Sequence, residues 1–164
     1  MTNTFELRNE LDAEFDKESD RGCAILTLCL LEEALSQVFA AFLPGGERHT
    51  RHFMPRGRLS VGIEHAHKLG LIGDANLATF KAVLEIRNKF AHSILSDMSF
   101  TSDAIREKLL KLELPNLEAV PDVLEQLDSN PRQRFMIAVD NLFFTLSARN
   151  GELADPLKNA FSEI

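Results

Sequence analysis

Two groups of side chains in this sequence have the types and spacing to meet an anion. The first is Arg87, Asn88 and His92, within Leu84-Glu85-Ile86-Arg87-Asn88-Lys89-Phe90-Ala91-His92-Ser93. On a helix, Asn88 and His92 stack four apart on one face, and Arg87 lies on the adjoining face. An arginine on an apolar helix needs a partner, because a buried unpaired charge is costly. An internal carboxylate could supply it, with His92 capping the helix end; Arg87→Ala would then cost ~3–5 kcal/mol. Otherwise an anion or a neighbouring chain has to meet the guanidinium and the imidazole. The second group is the basic island of residues 47–58: Arg48, His49, Arg51, His52, Arg56 and Arg58, opposed only by Glu47. Such a cluster binds phosphate or an acidic partner surface, unless its arginines simply pair with the acidic N-terminal segment.

The elements that must position these groups read as helices. From 75 to 94, Leu77, Phe80, Leu84, Ala91 and Leu95 recur at helical steps, with Arg87 on the same stripe. Val83, Ile86, Phe90 and Ile94 draw a second apolar line, so this helix is expected to be central. Ser19 and Asp20 are good caps for a helix over roughly 20–43 that is apolar nearly all round. Glu32 or Glu33, halfway along it, is the candidate carboxylate for Arg87. Pro44-Gly45-Gly46 ends that helix. Met54-Pro55-Arg56-Gly57 reads as a loop, and His49 and His52, three apart, are expected on a loop as well.

Residues 4–18 carry Leu7, Leu11 and Phe15 at steps of four and read as an acidic amphipathic helix. Leu59 to Leu69 predicts a short helix with Leu59, Ile63, Ala66 and Leu69 inward, and Asp74 caps the next. Ser102 or Asp103 starts a helix to about Leu112, and a short one is expected over 121–128. Ser129-Asn130-Pro131 opens a helix over 131–149 that Asn150-Gly151 should stop. Asp155-Pro156 starts a last one with Leu157, Ala160 and Phe161 inward. There is no convincing β run and no repeat. The expected fold is all-α, a single-domain bundle of about six to eight helices, with 19–112 as its core and 121–164 packing on it.

The totals narrow the function. A chain of 164 residues suffices for one domain with a real core. Twelve Phe with no Trp or Tyr make that core phenylalanine-rich, and a net charge of −7 disfavours a whole-surface grip on nucleic acid. Cys23 and Cys29 form no CxxC pair and read as buried free thiols of a reducing cytoplasm. The N-terminus carries no signal pattern, and Glu32, Glu33, Ser36 and Gln37 interrupt the longest apolar stretch, so no membrane role is expected. His65 and His67 are two apart and diverge. No histidine pair has the helical i, i+4 spacing of a zinc site, so no metal or cofactor is assigned. Phosphate loops, nucleophile elbows, kinase and Rossmann signatures and a DNA-binding helix-turn-helix are not seen.

Residues 19–112 resemble the mannitol operon repressor family. The resemblance is carried by Ser19-Asp20-Arg21-Gly22, Arg58-Leu59-Ser60, Leu69-Gly70-Leu71-Ile72, Ile86 through Ser93, and Ser99-Phe100. It implies a helical bacterial cytoplasmic domain acting in transcriptional regulation through a protein partner, without a DNA-binding motif of its own. The Arg-x4-His run also resembles the HEPN superfamily, whose active members cut RNA without metal across a symmetric dimer. That resemblance implies a homodimer and RNA as substrate. His92 would be the general acid or base, Arg87 would stabilise phosphorus-oxygen charge, and Asn88 would hold the phosphate or orient His92. Two functions are therefore expected: a regulator acting through protein contacts, or a metal-independent endoribonuclease.

Overall fold

The computed structural model describes residues 12–93, 97–112, 114 and 121–154. It is an all-α multi-helix bundle, with no strand among the described residues. The helices are α1 (Asp20–Phe42), α2 (Glu47–Phe53), α3 (Leu59–Lys68), α4 (Asp74–His92), α5 (Asp103–Leu109), α6 (Pro121–Ser129) and α7 (Pro131–Ala154). A helical stretch over 12–15 precedes them. Most of the expected 4–18 helix and all of the expected C-terminal helix lie outside the described residues, as do Ile94 and Leu95.

Local chemistry sets where the helices begin. The Ser19 hydroxyl accepts the Gly22 N–H at 3.0 Å, and Asp20 sits in the first turn of α1, where a negative charge meets the helix dipole favourably. Asn130 accepts the Gln133 N–H at 3.2 Å at the start of α7. Past α1, Leu43 is extended, and Gly45 and Gly46 turn the chain with φ of 90° and 60°. A side chain at either glycine would be strained.

The long helices α1, α4 and α7 make the centre. α1 packs most extensively on α7 and also meets α4 and α2. Leu31, Leu35, Val38 and Phe39 of α1 face Phe80, Val83, Ile86 and Phe90 of α4 and Phe135, Val139 and Leu142 of α7 in one buried cluster. Phe100 joins the layers, with its ring centroid 5.1 Å from Phe90 and 4.9 Å from Phe135. Each buried ring of this size contributes on the order of 2–3 kcal/mol of apolar burial. By length and apolarity α1 could cross a membrane; in this bundle its inner face covers the helices around it.

The ends of the central helices are tied by one polar knot. Asp20 accepts the Phe100 N–H at 2.8 Å and Arg132 Nη1 at 2.8 Å. Arg132 Nη2 also donates to the carbonyl oxygens of Phe15 and Glu18. Beside it, Arg21 Nη2 donates to the Ser93 carbonyl at 2.7 Å, setting a cation at the C-terminus of α4.

Four expectations are corrected. α7 does not stop at Asn150-Gly151 but runs to Ala154. Arg149 holds its end by donating to Gly70 O at 3.1 Å and to Glu152, and Leu153 packs on the core; this outweighs a helix-interior glycine costing about 1 kcal/mol. His49 and His52 lie on α2, a helix held by buried Thr50 and by Phe53, which stacks on Phe39 and meets His65 edge-on. Leu69 is exposed because the chain reverses at Gly70 (φ 69°) and buries Leu71 and Ile72 in its place. Cys29 is exposed on the outer side of α1, while Cys23 is buried.

Asp20→Ala leaves the Phe100 amide and the Arg132 guanidinium without their acceptor. The expected loss is about 2–3 kcal/mol in urea denaturation. A change below a few tenths of a kcal/mol would mean that the knot does not hold these helices.

Candidate functional site

Arg87 is half-buried on the flank of α4 between Leu84 and Ala91, which are half-buried too; the fully buried line is Phe80, Val83, Ile86 and Phe90. Arg87 Nη1 donates to Asn88 Oδ1 at 3.2 Å. Its Nε is buried without an acceptor, as are those of Arg21 and Arg149. What sets Arg87 apart is the rest of its guanidinium. Arg21 and Arg149 reach backbone carbonyls, whereas Arg87 has no carbonyl and no carboxylate among the described residues.

The internal ion pair expected for Arg87 is therefore not formed among the described residues. Glu33 accepts a hydrogen bond from Gln37 at 3.1 Å and does not line the depression that holds Arg87. Glu32 makes no ion pair among the described residues, but it lines the same depression as Arg87, about 250 Å3 bounded also by Ile25, Leu28, Ser60 and Asn88. His92 is the last residue of α4, exposed and without a hydrogen bond among the described residues; Ser93 takes the cap position. It lines a second depression of about 390 Å3 with Glu85, Lys89 and Lys108. Lys108 pairs with Glu85 and holds its carboxyl below the usual range by hydrogen bonding and charge. Asn88 borders both depressions, so the three residues occupy one connected surface with Asn88 between the other two.

Of the basic island, Arg48, Arg51 and Arg56 line a cleft of about 700 Å3 against Cys29, Glu32, Glu33 and Ser36 of α1. Arg58 is exposed at the start of α3 and does not line that cleft. None of the four arginines makes an ion pair among the described residues. The histidines diverge as their spacing requires: His65 Nδ1 donates to Phe53 O at 2.6 Å, and His67 Nε2 lies 2.6 Å from Asp74 Oδ1. Among the described residues no set of His, Cys, Asp or Glu is placed to hold a metal.

Spacing did not reveal the Asp20–Arg132 knot or the Arg21 bond to Ser93, which sits next to His92. The only signal for them was Ser19-Asp20-Arg21-Gly22, read as a cap. The exposed apolar strip of α1 was missed as well: Ile25 is 39% and Leu26 36% exposed. No family model, curated protein or solved structure matches this chain.

Two outcomes follow. Arg87→Ala, with no ion pair to break among the described residues, is expected to change unfolding free energy by less than about 1 kcal/mol; a loss above ~3 kcal/mol in a urea melt would reinstate an internal partner. Burial pushes the Cys23 thiol up to about 11, against the opposing charge of Arg132. Maleimide at neutral pH should therefore label Cys29 in the native protein and reach Cys23 only on unfolding, as counted by mass spectrometry. Prompt double labelling would contradict the packing of α1 on α7.

Proposed function

We propose that this protein is a helical regulator of the mannitol operon repressor type, working in the cytoplasm as a dimer and through contacts with a protein partner. The observation that carries this reading is Arg87: a half-buried guanidinium without a carboxylate or carbonyl among the described residues, next to the exposed apolar strip of α1. Arginine beside apolar side chains in a partly desolvated hollow is the composition of an interaction hot spot. The net charge of −7 supports regulation through another protein rather than through the protein's own grip on DNA.

A second reading is favoured by a different observation. His92 is exposed and makes no hydrogen bond among the described residues, and Asn88 joins its depression to that of Arg87. In a metal-independent endoribonuclease His92 would move the proton of the RNA 2′-hydroxyl or of the leaving 5′-oxygen, and Arg87 would take the charge growing on the phosphorus oxygens. Asn88 would keep the phosphate or the imidazole in line.

Incubating the pure protein with RNA in EDTA separates the two. The regulatory reading expects intact RNA, a dimer by light scattering, and a bound partner that Arg87→Ala loses. RNA cleavage that disappears in His92→Ala would replace it with the nuclease.

A further inference from the structure

The depression beside Arg87 and the larger cleft are parts of one trough. Ile25, Leu28, Cys29 and Glu32 of α1 line the first; Cys29, Glu32, Glu33 and Ser36 line the second. The shared residues Cys29 and Glu32 make the floor continuous along the outer side of α1. From Ile25 to Ser36 the helix rises about 1.5 Å per residue, which makes the trough roughly 16 Å long. That is room for about five residues of extended chain at 3.3–3.6 Å each.

The facing wall carries Arg48, Arg51, Arg56 and, at the Ile25 end, Arg87. None has an ion pair among the described residues, although Glu32, Glu33 and Glu47 line the same trough. Guanidinium forks favour carboxylate or phosphate in a paired geometry. The carboxylates on the floor choose between these. A nucleic-acid backbone is densely and uniformly negative and would be repelled at Glu32 and Glu33, with nothing to offer Ile25 and Leu28. A peptide has acidic side chains for the arginine wall, backbone N–H groups to donate to Glu32 and Glu33, and apolar side chains to cover Ile25 and Leu28.

We propose that this trough takes an acidic linear segment of a partner protein, its carboxylates against Arg48, Arg51, Arg56 and Arg87 and its apolar side chains against Ile25 and Leu28. This rests on the regulatory reading and gives its partner a chemistry.

The test is fluorescence anisotropy with three labelled probes: a peptide alternating glutamate and leucine, the same peptide with glutamine for glutamate, and a single-stranded RNA. The acidic peptide is expected to bind, and to bind more weakly as salt is raised. Arg51→Glu/Arg56→Glu, both at exposed positions, should weaken it at least about tenfold while the melting curve stays in place. Equal binding of the glutamine peptide, no binding of the acidic one, or RNA that binds tighter and displaces it would each overturn the proposal. If the double variant still captures the wild-type protein's partner, the trough assignment fails while the regulatory reading stands. RNA cleavage in EDTA removes both.

Discussion

Asp20 accepts hydrogen bonds from two places far along the chain, the Phe100 amide 80 residues away and the Arg132 guanidinium 112 residues away. Both bonds use a charged acceptor, so each is stronger than an ordinary one. Because Arg132 also holds the carbonyls of Phe15 and Glu18, the start of α1 is pinned to the start of α7 and to the segment ahead of α5. With that end fixed, α1 has little freedom to rotate about its axis. Cys23, Ala24, Leu31, Leu35 and Val38 must face inward, and Ile25, Cys29 and Glu32 are left outside. The knot thus helps to set which face of α1 forms the floor of the trough, while α2 and α4 supply its walls.

Phe100 carries the constraint into the core. Its backbone is held by Asp20, and its ring lies between Phe90 and Phe135. Phe90 lies two residues before His92, and the Ser93 carbonyl next to His92 is bonded to Arg21. The C-terminal turn of α4 is therefore held by an aromatic contact from inside and by a guanidinium from outside. That turn presents Asn88 and His92. Fixing the backbone on both sides sets where the exposed side chains of Asn88 and His92 leave the helix; their rotamers are left to the anion or partner they meet.

The parts of this architecture that were legible in the sequence are the local ones. Ser19 and Ser129-Asn130-Pro131 announce helix starts because the capping bonds span only three residues. The stripe through Leu84, Arg87 and Ala91 was legible as well, but not which way it faced. Periodicity gives a helix its faces; the neighbouring helices decide which of them is covered. Hence Arg87 read as inward in need of an internal carboxylate, whereas the placement of α1 leaves it at the edge of an open depression. The stop at Asn150-Gly151 failed for a related reason. The bond from Arg149 to Gly70 crosses 79 residues, and nothing in a local window registers it.

The use of arginine within this one chain separates structural from available cations. Arg132 pairs with Asp20 and two carbonyls, Arg134 with Asp128 and the Leu109 carbonyl, and Arg149 with Glu152 and the Gly70 carbonyl. Each of these, all on α7, joins its helix to another part of the chain by combining a carboxylate with a backbone oxygen. Among the described residues Arg48, Arg51, Arg56 and Arg87 do neither, although Glu32, Glu33 and Glu47 lie along the same trough. Folding therefore gains little from these four side chains. In an otherwise acidic protein their common placement on one wall, facing an apolar strip, gives a partner both the charge it must answer and the surface it can bury. A carboxylate that reached Arg87 would lie partly out of water, where its attraction is less screened than on the open surface. The positions nearer the rim, Arg48, Arg51 and Arg56, would act more on the rate of encounter than on its lifetime.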